Sequence, residues 1–451
     1  MDHVEFTEAI SPWLGDADGP VRASLTLAIR QAIGSGQLPQ GSRLPPERSL
    51  ATALNVSRPT VSAVIDELRA GGLVRSRQGS GTWVSGGSAR TEPSIPFIER
   101  IMAPGQIDLA SATAPDAGWL PPIRLESADL LVAEPANGLN PMGLWSLREA
   151  VACRAARFVA DTTAANVIIT SGAHQALALM VATFAPRGST IIVEETTYGG
   201  LVDIIAANGC HAIGAPMDDD GAIPNPLGNL IERHRPALTI LVTPVHSPTG
   251  TISSAERCWE LFKTLKGTDT QVVLDETYAD LEFSQSGRQL STALGHRAVR
   301  VGSLSKSLWT GLRTGWIIAP VGVCTEITLR RWQQFDLGPA VASQLVALQA
   351  FDGIDDRIAR RCRRLEETAE WTRNALLAAF PEWKPAPVHG GPAMWVELPG
   401  DGDLFAAEAA AKGVAVLPGS ACRADNAGTP HIRICFDRPR DLLEAAIDRL
   451  G

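Results

Sequence analysis

Short apolar runs that alternate with helix-like segments constrain the fold of this chain more than any other feature. The runs are VIIT (167–170), TIIVEE (190–195), TILVT (239–243), QVVLDE (271–276) and VRVGSLS (299–305). Apolar residues with helical spacing follow three of them, at 174–185, 226–234 and 254–266. Strands that alternate with helices in this way predict an α/β fold, with a mostly parallel sheet and helices on both of its faces.

The end of the chain has a different pattern and predicts a smaller C-terminal α+β subdomain. A helical stretch covers 341–380, the short strands AMWVELP and HIRICF follow, and a last helix covers 440–450. Near the other end, residues 86–107 are rich in Ser, Gly and Pro, which is typical of a linker. We therefore predict a domain at 1–85, a linker at 86–107 and a larger domain at 108–451.

Composition narrows the class of protein. The 451 residues are 45% hydrophobic and 20% charged, which provides a sizeable core and excludes a disordered, collagen-like or coiled-coil chain. No run approaches the roughly 18 apolar residues of a membrane span, and the acidic N-terminus lacks the features of a signal peptide. The seven cysteines include no CxxC pair, so neither a metal site nor a disulfide framework is predicted. We expect a soluble, reduced, cytoplasmic protein.

Two segments of the larger domain carry residues suited to amine and carboxylate chemistry. Asp275 ends one strand run and Tyr278 follows three residues later, where open α/β sheets place groups that bind ligands. Lys306 follows the next strand run among serine hydroxyls, with Arg313 seven residues further on. A lysine in such surroundings suits an amine that is held near a phosphate and forms a Schiff base with an aldehyde.

Two further segments are polar turns that follow strands. SGAHQALALM (171–180) is a small-residue turn that opens a helix, and the free N–H groups of such a helix start bind phosphate. TPVHSPTG (243–250) is the second turn, and EETTYGG (194–200) contains Tyr198. The only two tyrosines of the chain therefore fall in these segments. An aromatic ring over a pyridine and a phenol that donates to its 3′ oxygen are two roles that pyridoxal phosphate needs filled.

Together these segments resemble the fold-type I aminotransferases of class I/II, over about residues 108–451. The most specific match is the S-x-S-K…G-x-R-x-G-W box at 303–316, with D-x-x-Y upstream. The resemblance implies pyridoxal 5′-phosphate as cofactor, with Lys306 as the catalytic lysine that binds its aldehyde, Asp275 at the pyridine nitrogen and Tyr278 at the 3′ oxygen. It implies that Tyr198 stacks on the ring and that Arg433, in HIRICF, binds a substrate or effector carboxylate. The residues implied to hold the phosphate are Ala173, His174, Ser303, Ser305 and Arg313.

The chain departs from this family at three positions. Ser247 replaces the usual asparagine before Pro248, so the bond to the 3′ oxygen would be weaker than the family's or absent. Gly138 replaces an aromatic residue that reaches across the dimer to the phosphate, and Thr310 replaces a proline after the lysine. These departures favour retained cofactor binding more than fast transamination.

Each of these residues also has an ordinary structural interpretation. Asp275 alone would suit a helix N-cap, Lys306 a solvated surface position and Arg313 an ion pair. Tyr278 alone would suit the core, and His246 a turn. Arg433 would also suit an ion pair with an acid such as Asp437.

The N-terminal domain differs from the rest of the chain in charge. Residues 19–84 contain eight arginines and three carboxylates, a net charge of +5, whereas the whole chain has −9 and the remainder therefore −14. The segments VRASLTLAIRQAIGS (21–35), PERSLATALN (46–55) and RPTVSAVIDELRAG (58–71) predict three helices, and a tight turn joins the last two. GLVRSRQGSGTWVS (72–85) predicts a β-hairpin. These elements describe a winged helix-turn-helix on a basic surface.

This arrangement predicts which residues would contact DNA. Ser57 lies at the N-cap of the third helix, so Arg58 and Thr60 would face the major groove, with the Ser57 backbone near a phosphate. In the hairpin, arginines supply charge for phosphates and glycines allow close approach of the backbone. The hairpin residues concerned are Arg75, Arg77, Gly79 and Gly81.

These residues closely resemble the winged helix-turn-helix of the GntR family. The shared pattern GxLxxGxxLPxERxLA…L.VSRxTV…L…G…RxxGxGTxV covers nearly all of residues 20–84. The resemblance implies DNA contacts by Arg48, Ser57, Arg58 and Thr60. Pro46 and Ser62 depart from the serine and arginine usual in the family. The alternative interpretation is a small helical dimerisation module with solvated arginines.

A GntR-like head fused to an aminotransferase-like body resembles the MocR-type transcription regulators, over nearly the whole chain. The resemblance implies a regulator that binds double-stranded operator DNA and senses a small amine, an amino acid or the vitamer itself. It also implies a head-to-tail homodimer. Two alternatives stay open: a true aminotransferase that acts on an amino acid and a 2-oxo acid, and a binding module that has lost its cofactor.

Overall fold

The computed structural model of the protein describes residues 3–11, 21–34, 37–38, 41–70, 73–77, 81–84, 96–101, 105–131, 137–284 and 287–451. The chain divides into two compact units, Met1–Ile95 and Pro96–Gly451. Within the described ranges, no helix is both long and apolar enough to cross a membrane. The same residues include no group of three His, Cys, Asp or Glu side chains that could hold a metal ion.

The first unit consists of helices around a small core, followed by a hairpin. Its elements are α1 (His3–Ile10), α2 (Val21–Gly34), α3 (Glu47–Ala53), α4 (Arg58–Ala70), β1 (Val74–Arg77) and β2 (Gly81–Val84). The three predicted helices and the hairpin are all present. The sequence interpretation missed α1, which begins before the matched pattern. Its Phe6 and Ile10 lie one turn apart and are fully buried in the core of the unit.

The start of α4 and the hairpin form as their residues dictate. The Ser57 hydroxyl oxygen accepts a hydrogen bond from the Thr60 N–H at 3.2 Å, which caps α4. Pro46 precedes α3 without a side-chain cap, in keeping with the loss of a serine there. The hairpin strands are antiparallel, from Val74 opposite Val84 to Arg77 opposite Gly81.

The second unit alternates helices and strands over most of its length. Its first half comprises α5 (Phe97–Ile101), β3 (Ile107–Asp108), α6 (Ser127–Leu131), α7 (Trp145–Ala155), β4 (Val167–Thr170), α8 (Ala173–Phe184), β5 (Thr190–Glu194), α9 (Gly199–Ala207), β6 (His211–Ala215), β7 (Met217–Asp218), β8 (Gly221–Ala222), α10 (Pro224–His234), β9 (Leu238–Val242), α11 (Ala255–Leu265) and β10 (Gln271–Asp275). Its second half comprises α12 (Gln289–Leu294), β11 (Ala298–Ser303), α13 (Leu304–Ser307), β12 (Gly315–Ile318), α14 (Val321–Gln334), α15 (Val341–Phe351), α16 (Ile354–Ala379), β13 (Lys384–Pro385), β14 (Ala393–Glu397), α17 (Gly402–Ala411), β15 (Val414–Ala415), β16 (Leu417–Pro418), β17 (His431–Cys435) and α18 (Arg440–Leu450).

Seven strands form the main sheet, in the order β4-β12-β11-β10-β9-β5-β6. Strand β12 runs antiparallel to both of its neighbours, and the remaining pairs are parallel. Every residue of β9 and β11 is buried. Strands covered on both faces need apolar residues throughout, which explains why the sequence shows unbroken apolar runs rather than alternation.

A smaller antiparallel sheet lies in the C-terminal part of the unit. Its strands have the order β13-β14-β17-β16. Apolar residues of β17, α16 and α18 share one core cluster, which contains Ile432, Ile434, Leu365, Leu376 and Leu443. The predicted α+β subdomain is therefore present.

The structure corrects part of the predicted linker at 86–107. Residues 85–95 lie outside the described ranges. Helix α5 belongs to the second unit, with Phe97 buried and its N–H donating to the Asp203 carboxylate at 2.6 Å. Further on, β3 pairs with β15. Helix α5 and strand β3 form here because their residues have a surface to pack against, which Ser, Gly and Pro content alone did not indicate.

Candidate functional site

The carboxyl ends of neighbouring parallel strands bring the predicted chemistry together. Asp275 ends β10, and Ser303 ends the adjacent strand β11. Helix α13 begins directly after Ser303 and carries Lys306 one turn later. The Ser303 hydroxyl accepts from the Ser305 N–H at 3.1 Å, which fixes the start of this short helix.

Lys306 is half-buried, and its amine has a backbone hydrogen-bond partner. Its Nζ donates to the backbone carbonyl of Ala112 at 2.7 Å and lies 5.8 Å from the centre of the Tyr278 ring. Within the described part of the chain, Lys306 forms no ion pair. Burial lowers the pKa of Lys306 to about 8, and the nearby positive charge of Arg433 contributes to this shift. The interpretation as a solvated surface lysine is therefore wrong.

Asp275 and Tyr278 lie buried beside this lysine. The Asp275 carboxylate accepts from the Thr277 N–H at 3.0 Å and from the Thr277 hydroxyl. Burial raises the pKa of Asp275, although both hydrogen bonds oppose the shift. The Asp275 carboxylate thus closes a local turn at the carboxyl end of β10.

The Ser247 side chain lies beside the Tyr278 hydroxyl and opposes the rise in its pKa. Burial raises the pKa of Tyr278 to about 12, so the phenol keeps its proton near neutral pH. Serine at the position of the usual asparagine therefore still meets the tyrosine. Nearby, His246 is buried and bonded through Nδ1 to the Thr249 hydroxyl at 2.7 Å. Burial lowers the pKa of His246 to about 4, which suits a neutral turn residue.

The predicted phosphate residues surround the start of α8. Gly172 precedes this helix with φ +112°, and a Cβ there would lie 3.3 Å from Arg313 Nη2. Arg313 donates to the Ser171 carbonyl at 2.6 Å, and the hydroxyls of Ser303 and Ser305 lie 2.9 Å apart. The first residues of the helix are Ala173 and His174. The structure thus brings all five predicted phosphate residues to one region.

Tyr198 lies at the edge of this cluster and has two aromatic neighbours. Its hydroxyl is 3.3 Å from His174 Nδ1, and its ring meets the Phe97 ring edge-on with centroids 5.2 Å apart. Burial lowers the pKa of His174, and Arg313 adds to this effect. Phe97 escaped the sequence interpretation because it lies in the predicted linker.

Arg433 is buried on β17 and has no acidic partner among the described residues. Its Nη2 donates to the Ala110 carbonyl at 2.5 Å, while its Nε finds no hydrogen-bond partner in that part of the chain. Asp437 instead pairs with Arg361 at 2.6 Å. The alternative ion pair between Arg433 and Asp437 is therefore wrong, and a buried guanidinium with an unused donor suits a carboxylate ligand.

One buried carboxyl near the cluster was missed by the sequence interpretation. Glu194 ends β5 and accepts from the Val242 N–H at 2.7 Å. Burial raises the pKa of Glu194 to about 8. The signal in the sequence was the pair of consecutive glutamates at the end of this apolar run, because only one of the two side chains can point into solvent.

The chemistry of the donor set fits pyridoxal phosphate. Lys306 supplies an amine of lowered pKa, Asp275 a buried carboxylate, Tyr278 a protonated phenol and Arg313 a cation beside a helix start. The buried Nε of Arg433, which has no hydrogen-bond partner among the described residues, fits a ligand that carries a negative charge.

The first unit presents the predicted DNA-binding side chains to solvent. Arg48, Ser57, Arg58 and Arg75 are exposed, and Thr60 is partly so. In the described ranges these three arginines form no ion pair, whereas Arg22 pairs with Glu67 and Arg69 with Asp66. Gly81 lies under the Arg43 side chain, where a Cβ would come within 2.8 Å of Nε. Arg77 ends β1, and Gly79 lies outside the described residues.

Comparison with protein families accounts for both units. The family model "Aminotransferase class I and II" matches residues 105–450. The model "Bacterial regulatory proteins, gntR family" matches residues 22–84.

Among curated proteins, the chain is similar to regulators along most of its length. It is 27% identical over 385 residues to the HTH-type pyridoxine biosynthesis transcriptional regulator PdxR of Corynebacterium glutamicum, covering 82% of each chain. It is 26% identical to the HTH-type transcriptional regulator TauR of Rhodobacter capsulatus, covering 89% of each. It is also 27% identical to the uncharacterized HTH-type transcriptional regulator YisV of Bacillus subtilis, covering 74% of each.

Among solved structures, the chain resembles LysN, the α-aminoadipate aminotransferase of Thermus thermophilus. The TM-score is 0.69 at 23% identity, over 81% of this chain and 95% of LysN. This likeness shows the fold-type I architecture of the second unit. The chain therefore belongs to the aminotransferase class I and II family, and with its gntR-family DNA-binding domain it has the architecture of a MocR-type, pyridoxal phosphate-dependent transcription regulator.

Proposed function

We propose that this regulator senses a small amine, an amino acid or the vitamer itself through its aminotransferase-like domain, and that ligand binding changes its grip on operator DNA. One observation carries the proposal above the others. Two cations, the half-buried Lys306 and the buried Arg433, lie in one cluster, and neither forms an ion pair within the described residues. Such a pair suits the aldehyde of the cofactor at Lys306 and the carboxylate of an amino-acid effector at Arg433.

Each residue of the cluster has a proposed role. Pyridoxal phosphate supplies an aldehyde that reacts reversibly with amines and a ring that withdraws electrons. Lys306 binds the aldehyde, Asp275 holds the proton of the pyridine nitrogen, and the Tyr278 hydroxyl donates to the 3′ oxygen with support from Ser247. Tyr198 covers the ring, and Arg433 binds the effector carboxylate. The phosphate is held by Ala173, His174, Ser303, Ser305 and Arg313.

The DNA-binding unit has proposed roles of the same kind. Arg58 and Thr60 at the start of α4 read base edges in the major groove, and Arg48 and the Ser57 backbone contact phosphates. In the hairpin, Arg75 and Arg77 add charge, while Gly79 and Gly81 let the backbone approach the duplex. The exposure of Arg48, Arg58 and Arg75, which form no ion pair with any residue that the structure describes, supports this assignment.

We further propose a cytoplasmic head-to-tail homodimer, by likeness to MocR-type regulators. Two heads at a fixed distance would read repeated half-sites at a set spacing. Light scattering of the purified chain, with and without a DNA fragment that carries two half-sites, tests the dimer. A monomer that binds single half-sites with full affinity would contradict it.

The test of sensing is a spectral titration run beside a DNA-binding assay. The purified chain, saturated with pyridoxal phosphate, is titrated with amines and amino acids while its visible absorption is recorded. Each compound is then added to a complex with operator DNA. We expect at least one compound to change both signals, whereas spectral changes that never alter DNA binding would contradict the sensing function.

A second candidate function, transamination, is favoured by one observation. The amine, the carboxylate and the phenol that such catalysis uses are all buried in one cluster, at Lys306, Asp275 and Tyr278. Turnover of an amino acid with a 2-oxo acid at about 1 s⁻¹ or faster would support an enzyme. A visible absorption band that is absent in Lys306→Ala would exclude a module that has lost its cofactor.

A further inference from the structure

Residues 108–113, here called the strap, cover both cations of the cluster with their backbone. The carbonyl oxygen of Ala110 accepts from Arg433 Nη2 at 2.5 Å. The carbonyl oxygen of Ala112, two residues on, accepts from Lys306 Nζ at 2.7 Å. One short segment therefore accepts a hydrogen bond from each of the two side chains, Arg433 and Lys306, that a ligand would use.

The strap has a defined conformation at both of its edges. Its Leu109 N–H donates to the Ala415 carbonyl at 2.9 Å, and its Leu109 carbonyl accepts from the Cys435 N–H at 2.8 Å. Within the strap, the Asp108 carboxylate accepts from the N–H groups of Ala110 and Ser111 at 2.9 and 2.8 Å. These bonds fold the segment into a tight turn that presents its carbonyls to the cluster.

One buried arginine, Arg438, holds this turn from behind. Its Nε donates to the Asp108 carbonyl, Nη1 to the Thr113 carbonyl and Nη2 to the Ser111 carbonyl, each at 2.8 Å. Nη2 also lies 3.1 Å from the Asp108 carboxylate and 3.2 Å from the Ser111 hydroxyl. Arg438 is 8% exposed, so nearly all of its hydrogen-bonding capacity is spent on the strap and on the adjacent Asp437 carbonyl.

We propose that the strap competes with the ligand carboxylate for Arg433, and that Arg438 is the positioning residue that sets this competition. Each forked geometry of an arginine–carboxylate pair uses one of the two N–H groups of Nη2, and the Ala110 carbonyl takes one of these two groups, which closes one fork. A carboxylate is the stronger acceptor because its bonds to a guanidinium are charge-assisted. A ligand carboxylate that takes the N–H group held by Ala110 therefore releases the strap, at a cost that Arg438 determines. This inference rests on the proposed role of Arg433.

The test compares two probes that differ only in charge, propionate and propionamide. Their dissociation constants are measured by calorimetry on the full chain saturated with pyridoxal phosphate. In Arg438→Lys the fork that holds the strap is lost, so we expect propionate to bind about three- to tenfold more tightly, the effect of one or two lost hydrogen bonds. Propionamide should be unaffected. Equal weakening of both probes, or no change in either, would overturn the proposal.

Two further variants keep the result interpretable. Ser111→Ala removes one contact of Arg438 without removing a buried charge, and should shift propionate affinity in the same direction by a smaller factor. This variant decides the question if Arg438→Lys does not fold. Arg440→Met is the matched control, because Arg440 is exposed and its guanidinium lies over the Trp371 ring at 4.7 Å.

Amide hydrogen exchange provides a readout independent of affinity. Propionate should increase exchange in the peptide that spans residues 105–118, and propionamide should not. In Arg433→Ala the preference for propionate should disappear. If the preference for propionate persists in Arg433→Ala, the proposed role of Arg433 is wrong. If the preference is lost in that variant but propionate does not change exchange in the strap of the natural chain, only the present inference is wrong.

Discussion

At the scale of single residues, the charged side chains of the cluster have neutral hydrogen-bond partners. Lys306 and Arg433 are capped by neutral carbonyls, and Asp275 by a neighbouring N–H and hydroxyl. Neutral acceptors satisfy the hydrogen bonds of a cation without cancelling its charge, so burial still shifts its titration. The reactivity of the lysine is the first consequence.

We predict that pyridoxal phosphate reacts with Lys306 at unusually low pH. Only the unprotonated amine attacks an aldehyde, and burial together with Arg433 lowers the pKa of Lys306 to about 8. The rate at which the visible band develops in cofactor-free protein should therefore level off above about pH 8 and fall about tenfold per pH unit below it. Removing a positive charge in Arg433→Ala should move this inflection upward. An inflection near pH 10.5 in the natural chain would contradict the burial of the amine.

The interaction between the Ser247 and Tyr278 side chains gives a second prediction at this scale. Ser247→Ala leaves the buried Tyr278 hydroxyl without this partner and should lower the free energy of unfolding by about 1–3 kcal/mol. Tyr278→Phe, and the double variant, complete a cycle whose coupling energy should be about 0.5–1.5 kcal/mol. Denaturant unfolding of the four proteins measures it, and strictly additive effects would mean that the two hydroxyls do not interact.

At the scale of elements, sequence reasoning worked best where burial forces a simple pattern. The apolar runs at β4, β5, β9, β10 and β11 predicted each strand to within a residue or two, because strands covered on both faces have little choice of composition. Strand β12 was missed, since GWII follows the arginine of a motif and has only four residues. Helix α5 was missed because the surrounding composition is typical of linkers.

The predicted site was recovered in the same uneven way. Side chains in motifs, such as Asp275, Lys306 and Arg313, come together as expected. The carbonyls of Ala110 and Ala112 were not predictable, because any residue type supplies a backbone acceptor. Glu194 and Phe97 lay in predicted segments whose chemistry depends on distant partners, the Val242 N–H and the Tyr198 ring.

The cap of α4 gives a prediction that separates folding from DNA binding. Ser57→Ala removes the acceptor of the Thr60 N–H and should destabilise the first unit by about 1 kcal/mol. Ser57→Asp keeps a capping oxygen and should retain stability, but its negative charge near a phosphate should weaken DNA binding. Hydrogen exchange of the first unit and a DNA-binding titration measure the two effects. Equal DNA affinity in Ser57→Asp and the natural chain would contradict the placement of this helix start at the duplex.

The first turn of α4 also carries the prediction for base recognition. Arg58→Ala should abolish specific operator binding and leave cofactor absorbance intact, because Arg58 is exposed and lies in the other compact unit. Arg69→Ala is a matched control on the same helix, since Arg69 is engaged by Asp66 and Ser76. Titrations against operator and unrelated DNA distinguish them. Unchanged operator affinity in Arg58→Ala would refute the docking.

At the scale of the whole molecule, sensing is a coupling between two binding events. A ligand shifts the DNA-bound state only by its differential affinity for the two conformations. The chain joins a basic unit to an acidic unit. A substitution in one unit can therefore be tested by measuring ligand binding in the other.

Thermodynamic reciprocity makes this coupling measurable from both ends. If an effector changes operator affinity by some factor, saturating operator DNA must change effector affinity by the same factor. In Arg433→Ala both factors should approach one for effectors with a carboxylate, while pyridoxal phosphate binding is retained. Paired titrations of effector and DNA test this, and a full response in Arg433→Ala would place the effector elsewhere.

The contact between Phe97 and Tyr198 has a practical consequence for separating the two units. The rings lie 5.2 Å apart, and the Phe97 N–H is anchored to Asp203. A recombinant fragment that starts at residue 108, the boundary suggested by composition, would lack Phe97. The edge of the Tyr198 ring would then be exposed to water. Expression of the second unit alone should therefore start no later than residue 96 if the preparation is to retain the colour of bound pyridoxal phosphate.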